Sequence, residues 1–106
     1  MDELAEQVWS RAKMVDGINP ELWRKDFAGA WIRRDQYGVC RKYGWVVNHI
    51  KPKSLGGDDS LCNLQALHWR NNEFKGDNYL EVETCITSEG ADNIYKVKRW
   101  RLITKR

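Results

Sequence analysis

An α+β fold is predicted by three features of the sequence. These are an amphipathic helical pattern at the N-terminus, two short β-type runs that flank a Gly- and Asp-rich loop and lead into a helical segment, and a hairpin signal near the C-terminus. One domain, 1–106, is expected from the length. A chain of 106 residues suffices for a single core burying roughly 65% of the surface the unfolded chain exposes, and is short for two ordinary domains.

Residues 2–13 put Leu4, Val8 and Ala12 on one helical face with Trp9 beside it, and the pattern ends near Gly17 and Pro20. In 21–36 (ELWRKDFAGAWIRRDQ), Trp23, Phe27, Trp31 and Ile32 demand burial around an interrupting Gly29, which reads as a turn-rich connection with a short strand at 30–33. From Tyr43 to Ile50 the aromatic and β-branched run around Trp45-Val46-Val47, bounded by Gly44 and Pro52, makes a strand. Lys53 to Leu61 is a loop by its Ser, Gly and Asp content, and Asn63 to Trp69 returns as a second strand. Arg70 to Lys75 suits a short helix stopped by Gly76. Tyr79 to Ile86 and Ile94 to Ile103 then form a hairpin around 88–93.

The composition narrows the function classes. No run reaches the ~18 apolar residues of a bilayer span, and MDELAEQVW lacks the basic and apolar regions of a signal peptide. A cytoplasmic protein with no membrane partner is therefore expected. Three cysteines without a C-x-x-C pair argue against a disulfide framework or a zinc ribbon and read as small buried hydrophobes. The net charge of +3 is mild, but cations gather at 33–53 and 96–106 while acids gather at 2–6, 58–59 and 81–92. That asymmetry fits either a basic, anion-facing side or ordinary solvated charge, the second reading being favoured before any motif is considered. On the last strand, Lys96, Lys98, Arg99 and Arg101 fit either a nucleic-acid backbone or protection of an edge strand, the second reading being favoured.

A strand-loop-strand-helix unit of this size brings the end of its first strand near the start of its helix. Asn48 and His49 would then face Asn71 and Asn72 across a small cleft, with Asn63 at the start of the return strand and Lys51, Lys53, Arg70 and Lys75 supplying positive charge. An imidazole, carboxamide oxygens and cations together suit phosphodiester hydrolysis. That reaction needs a base for water, a hard cation at the scissile phosphate, and positive charge to hold the polyanion. His68, alternating with Leu67 and Trp69 on the second strand, reads as structural.

The ordered segments YGVC, WVVNHIKPKSLGG and NLQALHWRNNEFK resemble the HNH endonucleases of the ββα-metal (His-Me finger) fold. The similarity covers about forty residues, 37–77, with a weaker echo in DFAGAWIRRDQYG upstream. The resemblance implies a ββα-metal core with an N-terminal helix and a C-terminal β-hairpin added, and a metal-dependent endonuclease acting on double-stranded DNA. Position by position, it implies that His49 is the general base and that Asn63 pins the loop and helps orient that base. Asn72 binds the metal with Asn48, and Lys75 matches the following Lys. Imidazole, with an ordinary pKa of about 6.5, suits proton transfer near pH 7. One divalent cation, Mg²⁺ or Mn²⁺, is implied as cofactor.

Two departures stand out. Asn48 occupies a position where the family usually has Asp. At an effective dielectric of ~20, a carboxylate about 4 Å from a dication gains on the order of 8 kcal/mol gross before desolvation, so a carboxamide there predicts weak metal binding until a scissile phosphate adds its charge. The family's structural zinc is held by two C-x-x-C pairs, whereas Cys40, Tyr43, His68 and Asn71 stand at those positions. A zinc-free scaffold packed by Tyr43, Trp45 and Trp69 is expected. The alternatives to an endonuclease are a non-catalytic nucleic-acid-binding module on a degenerate HNH fold and a protein-interaction domain using the C-terminal hairpin edge. The sequence leaves the oligomeric state open.

Overall fold

The computed structural model describes residues 1–102. Helix α1 (Glu3–Trp9) is capped by Asp2, whose carboxylate accepts the backbone N–H of Ala5 at 2.7 Å, and Glu3 and Glu6 complement the helix dipole in its first turn. It is shorter than the 2–13 pattern suggests. The guanidinium of buried Arg24 donates to the carbonyls of Ser10 and Ala12, and Lys13 exchanges backbone hydrogen bonds with Lys25, so the chain past Ser10 is drawn out of the helix. Ala5, Val8 and Trp9 are the face it buries.

Strands β1 (Trp23–Lys25) and β2 (Trp31–Arg33) pair antiparallel. The sequence signals β2 but not β1, whose three residues carry no alternation long enough to register as a pattern. The turn between them is closed by Asp26, and Gly29 lies at φ +90 with no room for a Cβ, which would stand 2.8 Å from Thr87 Oγ1.

Strands β3 (Trp45–His49) and β4 (Leu64–His68) form the next antiparallel pair, in register from Trp45 opposite His68 to His49 opposite Leu64. The loop joining them holds single 3₁₀ turns at Lys53–Leu55 and Leu61–Asn63. Helix α2 (Trp69–Lys75) follows β4 directly and stops at Gly76, at φ +54. This is the expected ββα core. Strands β5 (Glu81–Glu89) and β6 (Asp92–Arg101) make the C-terminal hairpin, which turns at Gly90 and carries a bulge between Thr84 and Ile86. The expected second strand ran to Ile103, which lies outside the described residues.

Trp45 anchors the main core, packing with Trp9 (ring centroids 5.3 Å), Tyr37 (4.8 Å), Ile32 and Leu64. The fit is polar as well as apolar, because the Trp45 indole N–H reaches the carbonyl of Arg33 at 2.9 Å. Tyr43 instead stacks edge-on against Trp23, and Trp69 lies half-buried beside His68. Of the cysteines only Cys85 is buried; Cys40 and Cys62 are exposed, contrary to expectation, because Cys40 falls in an irregular segment before β3 and Cys62 in the 3₁₀ turn before β4. Two of the β6 cations lie beside acids of β5 while staying largely exposed: Arg99 is 3.4 Å from Glu81 and 3.7 Å from Glu83, and Arg101 is 3.6 Å from Glu81. No helix among the described residues is long and apolar enough to cross a membrane.

Candidate active site

The end of β3, the loop after it and the outer face of α2 enclose a cleft of about 360 Å³. Asn48, His49, Lys53, Asn72 and Asp77 line it. Strand alternation separates Asn48 from its neighbour: Asn48 is buried and turned toward α2, whereas His49, half-buried, leans over the loop. Asn48 Nδ2 donates to Asn72 Oδ1 at 2.8 Å. Its Oδ1 accepts from Gln65 Nε2 at 3.1 Å, the residue opposite it in register. Two side chains distant along the chain are thereby joined across the cleft.

His49 Nε2–H donates to Asp59 Oδ1 at 2.8 Å, and Lys53 Nζ approaches the same oxygen at 3.4 Å. The hydrogen bond from His49, then that from Lys53, holds the Asp59 carboxyl below the usual carboxylate range. Asn63 fastens the loop. Its Oδ1 accepts the Lys51 N–H at 2.8 Å, while its Nδ2 donates to the carbonyls of Lys51 (3.1 Å) and Asp58 (2.8 Å). Its own carbonyl takes the Ile50 N–H. Gly57 is required by the same fastening, since a Cβ there would stand 1.7 Å from the Lys51 carbonyl oxygen and 3.0 Å from Asn63 Nδ2. Asn63 touches the backbone around His49 rather than its ring.

The expected cations separate. Lys53 lines the cleft, and Lys51 is bound through its backbone to Asn63. Lys75 is buried at 2% exposure, and its ammonium donates to the His49 carbonyl at 3.1 Å; burial pushes its pKa down against the opposing charge of Asp77. A group so enclosed steadies the end of β3 instead of meeting a polyanion. Arg70 stacks over Trp69 and lines a separate depression with Cys40, Arg41 and Lys42, because residues 70 and 72 project from nearly opposite sides of a helix. Asn71, expected in the cleft, is fully buried. Its amide bridges Asp26 to the Cys85–Ile86 backbone of β5.

The four positions that correspond to the family's zinc ligands have other duties or none. His68 donates through Nε2–H to the Lys42 carbonyl at 2.8 Å and accepts the Arg70 N–H at Nδ1, capping α2. Asn71 is engaged as above, Tyr43 packs on Trp23, and Cys40 is exposed. Gln65, Asp59 and Asp77 are not marked as site residues by the sequence motif. Gln65 could have been found from the strand register, being the cross-strand partner of Asn48. Asp59 and Asp77 carry no local signal, since a loop fold brings Asp59 to His49 and a helix stop brings Asp77 to the cleft.

A β-hairpin crossed by a helix, with His at the end of the first strand and Asn on the helix facing it, defines a ββα-metal core. Residues 36–78 match the family model described as HNH endonuclease, the same stretch that forms this core. No curated protein and no solved structure matches the chain.

Proposed function

We propose that the chain is a metal-dependent DNA endonuclease in which His49 is the general base. The observation that carries this reading is the meeting of His49, Asn48 and Asn72 at one cleft, inside the stretch that matches the HNH endonuclease model. His49 takes the proton of the attacking water. Asn63 holds the loop backbone, and Lys75 grips the carbonyl of His49, so that the ring has a fixed base to stand on. Lys53, at the mouth, meets a backbone phosphate. Lys51 and Arg70 extend the contact with DNA beyond the cleft.

The donor set suits a hard cation. Asn48 Oδ1 and Asn72 Oδ1 each accept one hydrogen bond within the protein and so retain a second lone pair, and the Asp77 carboxylate shares their cleft. Asn48 and Asn72 would hold Mg²⁺ or Mn²⁺, with Asp77 adding negative charge. A cation bound there polarises the scissile phosphate and stabilises the leaving oxygen. Purified protein should nick supercoiled plasmid in Mg²⁺ or Mn²⁺, fail in EDTA, and fail as His49→Ala. Equal nicking by the variant would reject the assignment.

A second reading is favoured by one observation, the carboxamide pair at 48 and 72 bonded to each other where a carboxylate would normally stand. On that reading the fold binds nucleic acid without cutting it. It predicts salt-dependent DNA binding with no cleavage in any divalent ion.

A further inference from the structure

Resting on the reading of His49 as base, we propose that Asp59 is its positioning residue, fixing the ring so that Nδ1 carries the lone pair presented to water. The carboxylate is an acceptor only, so the 2.8 Å contact with His49 Nε2 requires a proton on that nitrogen. A neutral ring protonated at Nε2 is unprotonated at Nδ1. The ring itself lines the cleft. Lys53 Nζ lies 3.4 Å from the same Asp59 oxygen, and the loop is tied at Asp58 by Asn63. Asn63, which grips only backbone, has no contact with the ring through which to select a tautomer. The division of labour is that Asn63 sets the loop, and the loop brings Asp59 to the imidazole.

The arrangement follows the general logic by which an acid behind a histidine sets its orientation and stabilises the imidazolium formed during reaction. Asp59 is exposed, with its side chain at 68%, so its effect is smaller than that of a buried acid. A fall in kcat of about 10- to 100-fold is expected for Asp59→Asn. The sign of the binding change separates positioning from simple electrostatics. Removing a negative charge beside a polyanion strengthens its binding, so the variant should bind DNA as tightly as the wild type or tighter while turning over more slowly.

The test has two arms. In the first, nicking kinetics and DNA affinity are measured for wild type, Asp59→Asn, His49→Ala and the double variant. The expectation is reduced kcat without weakened binding in Asp59→Asn, and no further loss from Asp59→Asn once His49 is absent. Wild-type kcat in Asp59→Asn, with His49→Ala inactive, overturns the role of Asp59 and leaves the base assignment standing. Activity in His49→Ala overturns the base assignment itself.

In the second arm, two-bond ¹H–¹⁵N correlation spectra are recorded near pH ~8.5, where an ordinary imidazole is neutral. The chain has only two histidines, and His68, locked as the Nε2–H form by Lys42 and Arg70, serves as the internal reference. Wild-type His49 should show the Nε2–H form. Asp59→Asn, whose carboxamide can donate to Nε2, should shift population to Nδ1–H while the His68 signals stay fixed. Unchanged His49 signals overturn the proposal, whether or not the wild type cleaves DNA.

Discussion

Two polar clusters, built from the same three residue types, lie on the two sides of α2. One holds Asp26, His68 and Asn71; the other holds Asp59, His49 and Asn72. In the first, every member is buried. Asp26 accepts four N–H groups, from Ala28, Ala30, His68 and Asn71, and the amide of Asn71 is engaged on both its oxygen and its nitrogen. In the second, Asp59 is exposed, His49 keeps one ring nitrogen free of partners among the described residues, and the carboxamides of Asn48 and Asn72 open on a cleft. Asn71 and Asn72 are neighbours in sequence, separated by one helical step of about 100°. Residue type therefore does not distinguish a structural cluster from a reactive one; spare hydrogen-bonding capacity at a solvent-reachable surface does.

The largest expected effect breaks the comparison from the open side. His49→Ala should lower nicking by about 10³-fold, within the range of general-base loss. Its melting temperature should stay near that of the wild type, because the ring lies at the surface end of β3. Plasmid nicking and a thermal melt on the same preparation check both parts. The reverse pattern is expected on the closed side. Asn71→Ala removes bonds to Asp26, to the Ile86 carbonyl and to the Cys85 and Ile86 N–H groups, leaving buried groups unpaired. At about 1–3 kcal/mol for each stranded group, with partial relaxation, a loss of about 3 kcal/mol should appear in denaturant unfolding.

The same contrast explains how much could be read from the sequence. The ββα core, the C-terminal hairpin and the meeting of Asn48 with Asn72 were legible because β-branched runs, glycine stops and an ordered motif lie in short windows. β1 was not, because Trp23–Lys25 is held as a strand by Lys13 and by β2 rather than by its own pattern. The motif spacing suggests a cleft position for Asn71, but its burial depends on where β5 returns, some fifteen residues later. Lys75 has the sequence character of a DNA-contacting cation, whereas the fold seals it beneath His49. In each case the deciding contact is long-range, and the side chain alone is compatible with either outcome.

A smaller effect sharpens the open cluster without touching the closed one. Asn48→Asp places a carboxylate beside Asn72 in the cleft and removes the Nδ2 donor that Asn72 Oδ1 now accepts. Because a hard dication favours charged oxygen, Mn²⁺ affinity measured by calorimetry should tighten by about tenfold. The Asp26 cluster is separate from this change, but the new carboxylate is buried and faces an acceptor at Asn72. Metal-free protein should therefore lose about 1–3 kcal/mol of unfolding free energy, part of which bound Mn²⁺ restores. Unchanged or weaker Mn²⁺ binding would remove Asn48 from the metal site.

The smallest effect is set by pH and tells the two histidines apart. Burial lowers the pKa of His68, the Lys42 carbonyl acting in the opposite sense. With the folded value below the unfolded value of about 6.5, the unfolded chain binds the proton first, so stability is full above that value and is lost as pH falls below it. The structural cause is that protonation converts the Nδ1 acceptor into a donor facing the Arg70 N–H, breaking the cap of α2. Loss of a cap is worth on the order of 1 kcal/mol. Asp26 works in a different window: burial raises its pKa, so its contribution declines as pH climbs from about 3.9 toward its folded value. A His68→Asn variant keeps a side chain that can cap but does not titrate. Urea unfolding of wild type and His68→Asn between about pH 7.5 and 5 should therefore show a decline in the wild type that is shallower in the variant. Parallel slopes would mean that the capping histidine is not the titrating group.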